Sequence, residues 1–114
     1  MALSTRVETG DRLWLVALDG DLDYDECALF RVIVDRILKQ SPQAAVIDLS
    51  ALGHLDSSGL GLLLALQRSY TAQGGRLVLV TNHTIDDILS LTRLNDLFTC
   101  APSRDDALRM IEGS

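Results

Sequence analysis

Three runs in this sequence, residues 13–18 (LWLVAL), 44–49 (AAVIDL) and 77–80 (LVLV), are apolar at odd and even positions alike, Asp48 excepted. A strand with no polar face is buried on both sides, the condition of strands inside a parallel sheet covered by helices. The segments between the runs supply those helices. Residues 24–39 place Ala28, Leu29, Val32, Ile33, Arg36 and Ile37 at helical spacing, and Ser41-Pro42 ends the repeat because a residue before proline avoids helical angles. From Ser58 onward Leu60, Leu63, Leu64 and Gln67 share a face, while Gly61, Ala65 and Ser69 form a thin strip on another. That strip suits either a neighbouring helix or a partner surface. Leu62 and Leu66 fall between the two faces and are expected to be exposed. Gln73-Gly74-Gly75 stops this helix, as glycine does just past a C-terminus. A short helix over 84–91, a brief strand over 98–101 and a helix over 103–112, capped by Ser103 with Asp105 and Asp106 in its first turn, follow.

Before the first run, Val7, Leu13, Leu15 and Ala17 alternate around Thr9-Gly10-Asp11-Arg12, the pattern of a hairpin, and Asp19-Gly20-Asp21-Leu22-Asp23 is expected to break the strand that comes next. Strand and helix therefore alternate from residue 13. This order predicts an α/β domain over 1–114 with a mostly parallel sheet, helical crossovers and an edge strand from the N-terminal hairpin.

At 47% apolar and 23% charged residues over 114 positions, the chain has the material for one packed core and no disordered tract. A formal net charge of −6 without a basic stripe excludes ordinary nucleic-acid binding, which neutralises phosphates with Lys and Arg. No stretch approaches the roughly 18 apolar residues of a membrane span, and the first residues lack the pattern of a secretory signal. A cytoplasmic location is expected. Cys27 and Cys100 make no Cys-x-x-Cys or zinc spacing and are expected to be small buried hydrophobes.

Chemistry concentrates in His54-Leu55-Asp56-Ser57-Ser58-Gly59-Leu60, where an apolar strand hands over to a helix. Side chains of this kind accept bonds from the orphan N–H groups of a first helical turn. Ser58, at the positive end of the helix dipole and followed by glycine, is a good acceptor for a phosphoryl group, which would add about −1.5 to −2 charge. Enzyme patterns fit less well. Leu55 stands where a Gly-x-Ser-x-Gly elbow around Ser57 needs glycine, and Leu64 stands at the third glycine of a dinucleotide loop begun by Gly59 and Gly61. Asp19, Asp21 and Asp23 alternate as in a calcium loop, but Tyr24 and Phe30 occupy its glycine and glutamate positions. His54 lies four residues before Ser58, the only pairing that suggests a serine hydrolase; His83 reads as a surface residue.

The segment Asp56-Ser57-Ser58-Gly59-Leu60-Gly61 resembles the signature of the STAS domains, in their bacterial anti-sigma factor antagonist branch. The resemblance continues through Gly20-Asp21-Leu22-Asp23, Asp48-Leu49-Ser50, Gly74-Gly75 and Leu94-Asn95-Asp96-Leu97-Phe98. It implies the STAS fold, four or five strands packed by four helices. It also implies an antagonist whose unmodified form binds a cognate anti-sigma factor, itself an ATP-dependent serine kinase, and so frees a sigma factor. Phosphorylation at Ser58 would block that binding, and a phosphatase would restore it. On this resemblance Asp56 sits beside the acceptor, Gly59 leaves the hydroxyl clear, and the loop with Asp21 and Asp23 meets the partner. The implied partner-binding set is Asp21, Asp23, Asp56, Ser57, Ser58, Gly59 and Leu62. Such a module is not an enzyme, needs no cofactor or metal, binds neither nucleic acid nor membrane, and is expected to be monomeric when free. In Thr92-Arg93-Leu94, Arg93 stands where the family commonly has glycine. The alternative within the same fold is a STAS subunit of a lipid-transport or stress-signalling complex without a sigma-factor partner.

Overall fold

The structure, a computed structural model, describes residues 2–113. In chain order the elements are β1 (Ser4–Thr9), β2 (Leu13–Leu22), α1 (Cys27–Gln40), β3 (Ala44–Leu55), α2 (Ser57–Gln73), β4 (Arg76–Val80), α3 (His83–Leu91), β5 (Thr99–Ala101) and α4 (Arg104–Glu112). The strands form one sheet in the order β1-β2-β3-β4-β5, with β1 antiparallel to β2 and the other neighbours parallel. This is the mostly parallel, hairpin-edged α/β sheet predicted from the apolar runs.

The alternation of side chains across each strand sorts the core into two layers. Trp14, Val16, Leu18, Ala45, Ile47, Leu49, Leu77 and Leu79 meet the buried faces of α1, α2 and α3. Leu15, Val46, Val78 and Val80 point the other way, onto Ala107 and Ile111 of α4. Both faces of the central strands are thus covered, as their lack of polar positions requires. The Arg36 guanidinium lies 5.4 Å from the centre of the Trp14 ring, a cation–π contact.

Several boundaries and faces differ from the sequence expectation, each for a physical reason. β2 runs on through Leu22 and does not break at Asp19, because β3 also runs on to Leu55 and keeps pairing with it. α1 begins at Cys27, since the Asp23 carboxylate and carbonyl both accept the Glu26 N–H and hold residues 23–26 in a turn. Its buried face is Phe30, Ile33, Val34 and Ile37, while Leu29 and Val32 are exposed. On α2, Leu62 and Leu66 are buried and the exposure expected for them is wrong. α2 is flanked by α1 and packs on β3 and β4, so it buries a wider arc than one apolar stripe. Arg93 adopts a left-handed backbone with φ of 59°, the conformation for which glycine is the usual choice, and closes α3 by donating its N–H to the Ser90 carbonyl.

Candidate functional site

The phosphoacceptor candidate lies at the carboxyl ends of β2 and β3, where open α/β sheets place their sites. Leu55 is the last residue of β3, and Asp56 follows in an extended conformation as the N-cap of α2. One carboxylate oxygen of Asp56 accepts the N–H groups of Ser58 (2.9 Å) and Gly59 (3.3 Å). The other accepts the N–H of Tyr24 at 3.0 Å, and the Asp56 N–H donates to the Leu22 carbonyl at 3.2 Å. Asp56 is therefore a clamp. It satisfies the first turn of α2 and ties that turn to the end of β2, which fixes the Ser58 backbone from two sides.

Ser58 is half-buried and Ser57 exposed, and among the described residues the Ser58 hydroxyl has no hydrogen-bond partner. The clamp brings Asp21 and Asp23 to the same rim. Asp21 is the register partner of His54, Leu22 that of Leu55, and Asp23 lies between the two residues whose main chain bonds Asp56. Asp23 spends one oxygen on its turn, and a Cβ at Gly53 would stand 3.2 Å from the Asp21 carboxylate. Residues 19–26 and 53–61 together hold Asp19, Asp21, Asp23, Asp25, Glu26 and Asp56 and no Lys or Arg. The rim is acidic. His54 is exposed and makes no hydrogen bond to Ser58, and no group of His, Cys, Asp and Glu among the described residues is arranged to hold a metal ion.

Two members of the implied partner set belong to the core instead. Leu62 is only 6% exposed, packed in the layer between the sheet and helices, so it cannot present its side chain to another protein. Gly59 is buried as well. A Cβ there would meet Leu55 Cδ1 at 2.6 Å and Leu22 Cγ at 2.7 Å, so glycine lets the start of α2 sit against the ends of β2 and β3.

A second polar centre, on the α4 face, has no signature in the local sequence. Asp48, on the face of β3 toward α4, is 5% exposed. It accepts the Ser50 N–H (2.9 Å), the Ser50 hydroxyl (2.6 Å) and the Nε–H of Arg104 at the start of α4. Burial pushes its carboxyl up, but the Ser50 hydroxyl, the Arg104 guanidinium and the Ser50 N–H outweigh burial and hold it below the usual carboxylate range. A carboxyl whose folded pKa is depressed contributes stability above its unfolded value near 3.9, and the contribution is lost as pH falls through the folded value. Asp48→Asn is therefore expected to cost about 1–2 kcal/mol at neutral pH, by loss of the charged acceptor. Its urea midpoint should fall less than that of the native protein between about pH 5 and 3. Parallel acid limbs for the two proteins would remove Asp48 as their cause.

Residues 4–107 match the STAS domain family. The structure superposes on an anti-sigma factor antagonist from Mycobacterium paratuberculosis with a TM-score of 0.86 and 29% identity, covering 97% of this chain and 95% of that one. The Bacillus cell fate determinant SpoIIAA in its phosphorylated form is similar at a TM-score of 0.72 and 22% identity, over 95% of this chain and 99% of that one. RsbS of Moorella thermoacetica, solved as a serine-to-glutamate variant, gives 0.75 and 21%, over 96% and 95%. No helix among the described residues is long and apolar enough to cross a membrane. A family match over most of the length, carried on a mixed sheet in the order β1-β2-β3-β4-β5, means that this chain belongs to the STAS domain family and has the fold of the anti-sigma factor antagonists.

Proposed function

We propose that the chain, acting as one module over 1–114, is an anti-sigma factor antagonist controlled by phosphorylation, a binding protein and a kinase substrate with no catalytic activity of its own. The unmodified form binds an anti-sigma factor serine kinase in the cytoplasm and so frees a sigma factor. Transfer of a phosphoryl group to Ser58 ends the complex, and a phosphatase resets it. The observation that carries this reading is the unpartnered Ser58 hydroxyl on a backbone clamped by Asp56. The likeness to antagonists solved in phosphorylated and serine-to-glutamate forms supports it.

The clamp also bears on what the phosphate does. The Ser58 and Gly59 N–H groups already bond Asp56, so an added dianion finds those donors occupied and draws only about 0.3–1 kcal/mol from the helix dipole. It stays directed at whatever docks there. No refolding is needed.

The protein immobilised on resin should retain an ATP-binding serine kinase from native extract, and added Mg-ATP should place one phosphate on Ser58, mapped by mass spectrometry. Ser58→Ala should retain the kinase and take none. Retention of partners with no phosphate at Ser58 would overturn the proposal and favour a scaffolding STAS subunit.

A further inference from the structure

We infer that Asn82 is a positioning residue for the Ser58 acceptor: its side chain pins the two irregular turns of β3 that deliver residues 56–58 to the rim. The inference rests on the reading of Ser58 given above.

β3 pairs with β4 only as far as Asp48, opposite Val80. Beyond it, β3 is bonded to β2 on one edge, and the carbonyls of its other edge have no neighbouring strand. The pairing with β2 is itself irregular. Ala17 faces Asp48 but Asp19 faces Ala51, and Gly20 faces Leu52 but Asp21 faces His54, so β3 carries an extra residue at each step. These are bulges, which bend a strand and redirect its side chains. They change the repeat of β3: Leu49, Leu52 and Leu55, three residues apart, all enter the same core layer, which a regular strand with its repeat of two cannot achieve. Loss of either bulge would turn every later side chain, and the approach to Ser58, to the opposite face.

Asn82 stands between β4 and α3, and its Nδ2 is 3.0 Å from the Ser50 carbonyl, 2.9 Å from that of Leu52 and 3.4 Å from that of Leu49. Leu49 and Ser50 form the first bulge, and Leu52 stands between it and the second. Its Oδ1 accepts the Ile85 N–H at 2.8 Å and caps α3. The orientation of the amide is fixed by chemistry, since its oxygen cannot face three carbonyl oxygens. One side chain thus holds the open edge of β3 to a helix start that is itself anchored by buried Ile85 and Leu89. Phosphoryl transfer depends on placing the acceptor oxygen in line with the leaving group, where displacements of about 1 Å cost rate.

Asn82→Asp separates the two jobs. It keeps an acceptor for the Ile85 N–H and puts a carboxylate oxygen where the donor was. Asn82→Ser, which keeps a cap and leaves the carbonyls to water, is the milder variant should the first fail to fold. Amide exchange in residues 50–58 is expected to quicken about tenfold or more, with β4 and α1 within about twofold of the native protein. With Mg-ATP and the kinase fraction eluted from the native protein's resin, kcat should fall about tenfold while KM changes less than about threefold. Exchange that quickens equally everywhere would overturn the inference, because Asn82 would then act on global stability. So would a loosened 50–58 segment with unchanged kcat. If the native protein takes no phosphate at Ser58, the functional reading fails and the positioning role with it, while the exchange pattern still reports whether Asn82 pins β3.

Discussion

If the proposed function holds, Ser58→Asp is expected to bind its anti-sigma kinase partner roughly a hundredfold more weakly than the native protein, a loss of about 3 kcal/mol, while Ser58→Ala binds within about threefold of it. The direction follows from what a kinase must do. To phosphorylate Ser58 it has to bring the terminal phosphate of ATP against the Ser58 oxygen, with the other phosphates close behind. Once the group is transferred, a phosphoserine faces the remaining phosphates of ADP. A permanent carboxylate at position 58 meets the same field. The antagonist's own loop offers little relief from that repulsion, because the two nearest backbone N–H groups are bonded to Asp56 and the adjoining segments, residues 19–26 and 53–61, contain no lysine or arginine. Alanine removes the acceptor without adding charge or volume. Equilibrium titration of each variant against the kinase with ADP present reads the effect. Equal affinity of Ser58→Asp and the native protein would mean that charge at this position does not control the complex.

The parts of this molecule legible in its sequence are those set by local pattern. The apolar runs at 13–18, 44–49 and 77–80 became the three central strands because burial on both faces leaves no other arrangement for them. Ser103 caps α4 through its bond with the Asp106 N–H, as its place before two acids suggested. What escaped the sequence depends on tertiary neighbours. A helical wheel gives α2 one face, but α1 beside it and the sheet beneath claim Leu62 and Leu66 as well. The glycine after Ser58 reads as open space until the ends of β2 and β3 are seen to lie against it. Nothing in the sequence carries β3 past Leu49, because a strand with two bulges shows no repeat of two over 50–55. Asn82 carries a signal for half of its work, since Asn before a short apolar helix is a usual cap. Its bonds to carbonyls about thirty residues earlier in the chain have no local trace.

Gly20→Ala is expected to cost about 3 kcal/mol and to lower Tm by about 10 °C. Gly20 has a φ of 106°, which an L side chain rarely adopts, and a Cβ there would stand 2.2 Å from the Ala2 carbonyl oxygen. Backbone is on both sides of that clash, so neither party yields by a rotamer change. Either residue 20 returns to negative φ, which distorts β2 between the two register shifts, or the N-terminal segment lifts and draws buried Leu3 out of the core. The first outcome also moves Leu22, whose carbonyl accepts the Asp56 N–H, and so loosens the clamp on Ser58. Gly61→Ala is the internal control: exposed on α2 with nothing beyond its own helix backbone and chain neighbours within 4 Å of a Cβ, it should gain up to about 1 kcal/mol of helix propensity. Urea unfolding of the two variants beside the native protein tests both signs at once. A Gly20→Ala midpoint within about 0.5 kcal/mol of native would mean that the N-terminal segment does not pack over β2 as described, because no rearrangement that keeps Leu3 buried and β2 paired leaves room for the added methyl group.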